Sequence, residues 1–130
     1  MVQVSDLLPN PQPSPQPVPG STNRELLMWL LRRRRRLRVT GESMLPYLPP
    51  GQEVLILPRR GETIALAVGD VVVLAHPLQP QTTIVKRVAQ IQADGRLFLL
   101  GDNPAASTDS RTFGPVSPQQ IQGRVVCLFP

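Results

Sequence analysis

Two residues in this chain have the type and setting to do chemistry together. Lys86 is the only lysine among fourteen basic residues, and it lies inside an apolar, strand-like run, TTIVKRV (82–88). A solubilising cation at that position could have been arginine, as at every other basic site. Lysine differs from arginine in that its amine can lose a proton when desolvated, whereas a guanidinium cannot. A neutral lysine is a usable general base. Ser43 is the second residue. It stands in VTGESMLPYLPPGQEVLI (39–56), bracketed by Gly41 and Pro46 in a bend that can expose its hydroxyl beside free backbone N–H groups. Each residue has a bland reading: serine is common in Gly/Pro turns, and lysine on an edge strand snorkels to solvent. Taken together they form a candidate nucleophile and base. His76, the only histidine, sits in the Pro-rich AHPLQPQ and reads as structural. One histidine and one cysteine cannot build a zinc site, and there is no Gly-rich phosphate loop, so no metal or cofactor is expected.

The elements that must position this pair read as strands. EVLIL (53–57), DVVVLA (70–75), TTIVKRV (82–88), RLFLLG (96–101) and GRVVCLF (123–129) are short β-branched or apolar runs between Gly, Pro, Asp and Asn turns. No long amphipathic helix separates them. The fold class is therefore mainly β: a compact, antiparallel domain over 37–130. Side chains alternate across a strand, so Ile84, Lys86 and Val88 share one face, and Val85 and Arg87 the other. Lys86 then points to the apolar side. Cys127 reads as a small buried thiol in the last strand.

The first 21 residues are rich in Pro, Gln and Ser and read as a disordered tail, with no signal peptide. Thr22 and Glu25 have capping-box spacing, which predicts a short helix over 22–36 that includes the arginine run. The net charge of +5 comes from Arg32–Arg36 and Arg38, so the basic character is local. Leu26–Leu31 is too short to span a bilayer, which predicts no transmembrane anchor, and the single cysteine suits a reducing compartment, read as the cytoplasm. Residues 26–38 leave peripheral membrane contact open. Nucleic-acid binding through the arginines is a low-specificity alternative and is not expected.

GESMLPYLPPGQEVLI, GDVVVLAHP, TTIVKRV and LFLLGDNPAASTDSRTFGPVSPQQIQGRV, in that order, resemble the signal peptidase I family of Ser/Lys endopeptidases. The resemblance covers 37–130, and GDNPAASTDSRTFGPV is its most specific part. It implies Ser43 as nucleophile and Lys86 as general base. It implies that Met44 shapes the substrate cleft and that Ser107 orients the lysine amine. Asp109 and Arg111 would form an ion pair steadying the loop, and Gly101, Asp102 and Asn103 the turn leading into it.

The chain departs from that family at several positions. Tyr47 replaces a usual Thr, Gln52 and Glu53 replace Gly-Asp, and Gly41 offers no hydroxyl to an oxyanion. The short domain without an anchor is most similar to the maturation proteases of nickel-type superoxide dismutase. That likeness implies a precursor protein as partner, whose N-terminal propeptide is removed. Two alternatives stand beside it: a signal peptidase at a membrane surface, and a self-cleaving regulator, since the Ser/Lys β-domain is shared with repressor autoproteases.

Overall fold

Five of the strands follow from runs of Val, Ile and Leu that can pair only by burying both sheet faces. The computed structural model describes residues 14–61 and 64–130. After helix α1 (Asn23–Leu30) come β1 (Arg35–Arg38), β2 (Glu53–Pro58), β3 (Val71–His76), β4 (Gln79–Ile91) and β5 (Leu97–Leu100). A four-residue helix, α2 (Ser110–Phe113), precedes the last strand, β6 (Ile121–Leu128). The strands form one sheet in the order β1-β2-β6-β3-β4-β5, with every pair antiparallel. The mainly β, antiparallel fold class is the one expected.

The core divides between the two faces. Val39, Met44, Leu48, Val54, Ile56, Val71, Val73 and Val125 pack on one. Val72, Leu74, Val88, Leu97, Leu99, Val116 and Ile121 pack on the other. Val71 and Val73 therefore fall on one side of β3, and Val72 and Leu74 on the other, as the two-residue repeat of a strand requires. Register shifts interrupt β2–β6 between Leu55 and Ile56, and β4–β5 between Val88 and Gln90. Such irregularities bend a sheet and let it wrap its own core.

The basic segment differs from its expected form. The helix begins as read, with the Thr22 hydroxyl accepting from the Glu25 N–H, but it ends at Leu30. Arg32 takes a left-handed φ of 60°, and Arg35–Arg38 pair as an edge strand with β2. Five consecutive arginines in one helix would repel at i,i+3 and i,i+4 spacing. The strand separates them and gives partners: Arg36 and Arg38 both meet the Glu53 carboxylate across the strand pair, and Arg34 meets Glu25 at 2.7 Å.

The expected disordered tail lies partly outside the described residues. Within 14–21 there is no regular secondary structure, yet the Pro19 carbonyl accepts from the Leu128 N–H at 2.8 Å, and Val18 packs against the first face of the core. No helix among the described residues is long and apolar enough to cross a membrane.

Candidate active site

Ser43 is presented by a loop whose base is closed by two backbone hydrogen bonds. The Val39 N–H donates to the Gln52 carbonyl, and the Gly51 N–H to the Val39 carbonyl, each at 2.8 Å. Gly41 and Gly51 take φ of +74° and +88°, conformations that a side chain disfavours, so the reversals fall at glycines. Met44 and Leu48 are fully buried and anchor the loop in the core. With Met44 driven inward, its neighbour Ser43 is left half-buried at the rim. The Leu45–Pro46 peptide is cis. Among the described residues neither the Ser43 nor the Met44 N–H donates a backbone hydrogen bond. Neither N–H is therefore committed to a backbone acceptor.

Lys86 comes from the opposite wall. It pairs with Val72 across β3–β4 and is only 3% exposed. Val72 and Val88, its neighbours on that face, belong to the second core cluster, and Ile84 packs against it. Ser43, Met44 and Lys86 line one cleft of about 810 Å³ between 37–44 and 79–86, with His76, Ala106 and Thr108 also in its walls. His76 ends β3, where its Nδ1 accepts from the Leu78 N–H and its ring stands edge-on to Phe113.

Behind Lys86 runs a chain of hydrogen bonds. Lys86 Nζ donates to Ser107 Oγ at 3.3 Å, and Ser107 Oγ donates to Asp109 Oδ2 at 2.9 Å. Asp109, 1% exposed, also accepts from the Gly101 N–H, the Arg111 N–H and the Arg111 guanidinium, the last through two nitrogens at 2.9 and 2.8 Å. Burial lowers the Lys86 amine below its ordinary value of 10.5; the Asp109 carboxylate opposes this and the Arg111 charge assists it. For Asp109, burial favours the neutral acid. The hydrogen bonds from Arg111, Gly101 and Ser107 outweigh it and hold the carboxyl below 3.8. The arrangement leaves the charge on Asp109 and Arg111 and favours a neutral lysine.

The segment 101–103 ties the two walls together. The Asn103 N–H donates to the Ser43 carbonyl at 2.8 Å, and its side-chain amide donates to the Glu42 carbonyl at 3.1 Å. A Cβ on Gly101 would lie 2.6 Å from Ser107 Cβ, 2.7 Å from the Ser43 carbonyl oxygen, and closer still to Ser107 Oγ. Only glycine lets the Ser43 loop and Ser107 approach each other over this strand end.

Asp102 turns away from the cleft to Arg87. The pair is bidentate, with both N···O distances 2.9 Å, and Arg87 also donates to the Gly69 carbonyl at 2.8 Å. Arg87 went unremarked in the sequence as a positioning residue. The available signal was the Lys-Arg dipeptide itself: alternation sends two adjacent cations to opposite faces of a buried strand, and each then needs a partner. Of the expected residues, Ser43, Met44 and Lys86 line the cleft. Ser107, Asp109, Arg111, Gly101 and Asn103 stand directly behind it, and Asp102 clamps the outer side of the turn. No cluster of three or more metal-ligating side chains occurs among the described residues.

Comparison with known proteins bears on this geometry. Residues 90–129, which run from the end of β4 through the 101–111 turn to β6, match the sequence profile of signal peptidase, peptidase S26. The mitochondrial ATP-independent inner membrane protease subunit 1b of Arabidopsis thaliana is 33% identical over 108 residues, 66% of this chain and 64% of that protein. The mitochondrial inner membrane protease subunit 1 of Schizosaccharomyces pombe is 33% identical over 106 residues, 67% of this chain and 68% of that one. The mitochondrial inner membrane protease subunit 2 of Danio rerio is 35% identical over 108 residues, 67% of this chain and 59% of that one. The chain thus spans about two thirds of the length of these relatives. With the 101–111 turn inside the matched profile and a relative aligned over two thirds of its own length, this chain belongs to the signal peptidase, peptidase S26, family.

Proposed function

We propose that the protein is a serine endopeptidase in which Ser43 is the nucleophile and Lys86 the general base. One observation carries the reading: a lysine buried to 3% exposure shares a cleft with Ser43 and is oriented by Ser107. An extended substrate lies along the cleft. Neutral Lys86 takes the Ser43 hydroxyl proton as Oγ attacks the scissile carbonyl. The open N–H groups at Ser43 and Met44 receive the oxyanion, since Gly41 has no hydroxyl to contribute. Protonated Lys86 then gives its proton to the leaving amine. Water, deprotonated by the same lysine, releases the acyl-enzyme. Ser107 keeps the amine aimed at Ser43 in both steps, and Asp109 keeps Ser107 in place.

For the substrate we favour a precursor protein that loses an N-terminal propeptide, specifically the precursor of nickel superoxide dismutase, processed in the cytoplasm. The support is the likeness of GDVVVLAHP and IVKRV to that group of maturation proteases. A second reading has the same chemistry acting on secretory signal peptides at a membrane surface. It is favoured by the similarity to proteases named for the mitochondrial inner membrane. The test is to incubate the purified protein, its Ser43→Ala and its Lys86→Ala variants with each type of precursor, and to weigh the products. Wild-type cleavage of the dismutase precursor immediately before its metal-binding N-terminus, absent in both variants, supports the full proposal. Cleavage of the signal-peptide precursor alone moves the substrate to the second reading. Cleavage that survives either substitution refutes the dyad.

A further inference from the structure

Helix α1 leaves its most apolar side in water. Leu27, Leu30 and Leu31 are 56%, 68% and 60% exposed, and no residue of the helix is fully buried. Their i, i+3, i+4 spacing makes one stripe. The helix is held from its other side: Trp29 stands edge-on to Phe129 with centroids 4.9 Å apart, and Glu25 pairs with Arg34. The stripe is therefore fixed in place and is not an apolar face still seeking this domain's core.

Cations follow the stripe directly. Arg32, Arg33 and Arg35 are exposed. The nearby carboxylates are already engaged, Glu25 by Arg34 and Glu53 by Arg36 and Arg38, and no carboxylate among the described residues pairs with Arg32, Arg33 or Arg35. Beside the stripe lies a cavity of about 390 Å³. Met28, Leu31 and Leu57 supply its apolar wall, and Arg33, Arg34 and Arg60 its cationic one. Arg60 also donates to the Arg32 carbonyl at 2.9 Å, which braces the turn. An apolar stripe ending in unpaired arginines, beside a cavity with one greasy and one cationic wall, is complementary to an anionic amphiphile. A nucleic acid would satisfy the arginines and leave the leucines in water.

We propose that α1 and the Arg32–Arg35 turn form a docking surface for an anionic phospholipid bilayer. The leucines enter the interface, the free arginines meet headgroup phosphates, and the cavity seats one headgroup with the start of its acyl chain. The surface is coupled to the cleft by β1, which leaves this turn and delivers Leu37 and Arg38 to the cleft wall. Even fully extended, the chain from Arg33 to Ser43 reaches no more than roughly 35 Å. Docking therefore holds the cleft near the headgroups. This inference concerns binding and does not rest on the proteolytic reading.

The test uses the full chain carrying Ser43→Ala, so that its outcome is independent of turnover. Vesicles of phosphatidylcholine, with and without phosphatidylglycerol, are titrated into it. Binding is read by co-sedimentation. The expected result is partition at least about tenfold stronger to the anionic vesicles, and its loss in high salt. Arg33→Gln with Arg35→Gln should weaken partition by about fivefold per arginine. Leu27→Ser with Leu30→Ser should weaken partition to the anionic vesicles by at least about tenfold. All four side chains are exposed, so circular dichroism should be unchanged in the variants. Equal or absent partition to the two vesicle types overturns the proposal. So does wild-type partition by the arginine variant, or binding of a single-stranded oligonucleotide in place of vesicles.

Discussion

Lys86 Nζ and Ser107 Oγ lie 3.3 Å apart, and the same hydroxyl donates to Asp109 Oδ2 at 2.9 Å. Ser107 thus spends its proton on the carboxylate and offers the lysine only an acceptor. The amine is held by one of its hydrogens, on a hydroxyl that cannot turn round without abandoning Asp109.

The pH dependence follows from the depressed amine. If Lys86 is the base, as proposed, only its neutral form acts, and kcat/KM should rise with pH along a limb set by an apparent pKa below the ordinary 10.5. Lys86→Arg should lose about a hundred- to ten-thousand-fold in kcat and keep the fold. The stability sign runs with it. A buried amine of lowered pKa destabilises the fold most where it is charged in both states, below its folded pKa. That cost disappears as pH rises toward the unfolded value. Lys86→Met should therefore raise the melting temperature at neutral pH, by an amount that shrinks as pH is raised. A gain that grows with pH would contradict the burial argument.

Gly101→Ala should damage the site more than the fold around it. The new methyl collides with Ser107 and with the Ser43 carbonyl. Overpacking at such a position costs about 1–3 kcal/mol, and relief requires Ser107 or the Ser43 loop to move. Activity should fall at least about a hundredfold, more steeply than the melting temperature predicts. Full activity would show that the strand end tolerates separation from the loop.

Asp109→Ala removes the acceptor that five hydrogen bonds share. Leaving the buried Gly101 N–H and the partly exposed Arg111 guanidinium unpaired should cost about 1–3 kcal/mol, read by urea denaturation. Because the Asp109 carboxyl is held below 3.8, its stabilisation is present above that pH and is lost as pH falls through the folded pKa. The variant should accordingly lack the part of acid unfolding that lies below pH 3.8 in the wild type.

Arg87 and Asp102 should behave as one unit. Their side chains are 8% and 3% exposed, so Arg87→Met leaves a buried carboxylate and should cost about 3–5 kcal/mol. Pairing it with Asp102→Asn should recover part of that loss. A double-mutant cycle with no coupling would remove the pair from the support of the 101–103 turn.

Much of this protein is legible in local sequence. The five apolar runs became β2 to β6, because β-branched residues in alternation, bounded by Gly and Pro, have few other ways to bury themselves. Lys86 stands out by composition, and Ser43 by its Gly and Pro neighbours, since both signals are confined to a few consecutive residues. The arginine run was not legible. A string of like charges has no period; in the strand Arg35–Arg38, Leu37 packs against the core and Arg36 and Arg38 share Glu53 on the neighbouring strand. The closure of the site was not legible either. Nothing near Asn103 in sequence indicates that it bonds the Ser43 and Glu42 carbonyls, and nothing near Gly101 that Ser107 and Ser43 leave no space for a side chain there. Sequence by itself determined which residues could do chemistry and on which strand face Lys86 would lie, because alternation is a property of one strand. Only the tertiary structure decided that Ser43 and Lys86 share a cleft and that Ser107 holds the amine, because those contacts join segments far apart in the chain and depend on how the sheet bends.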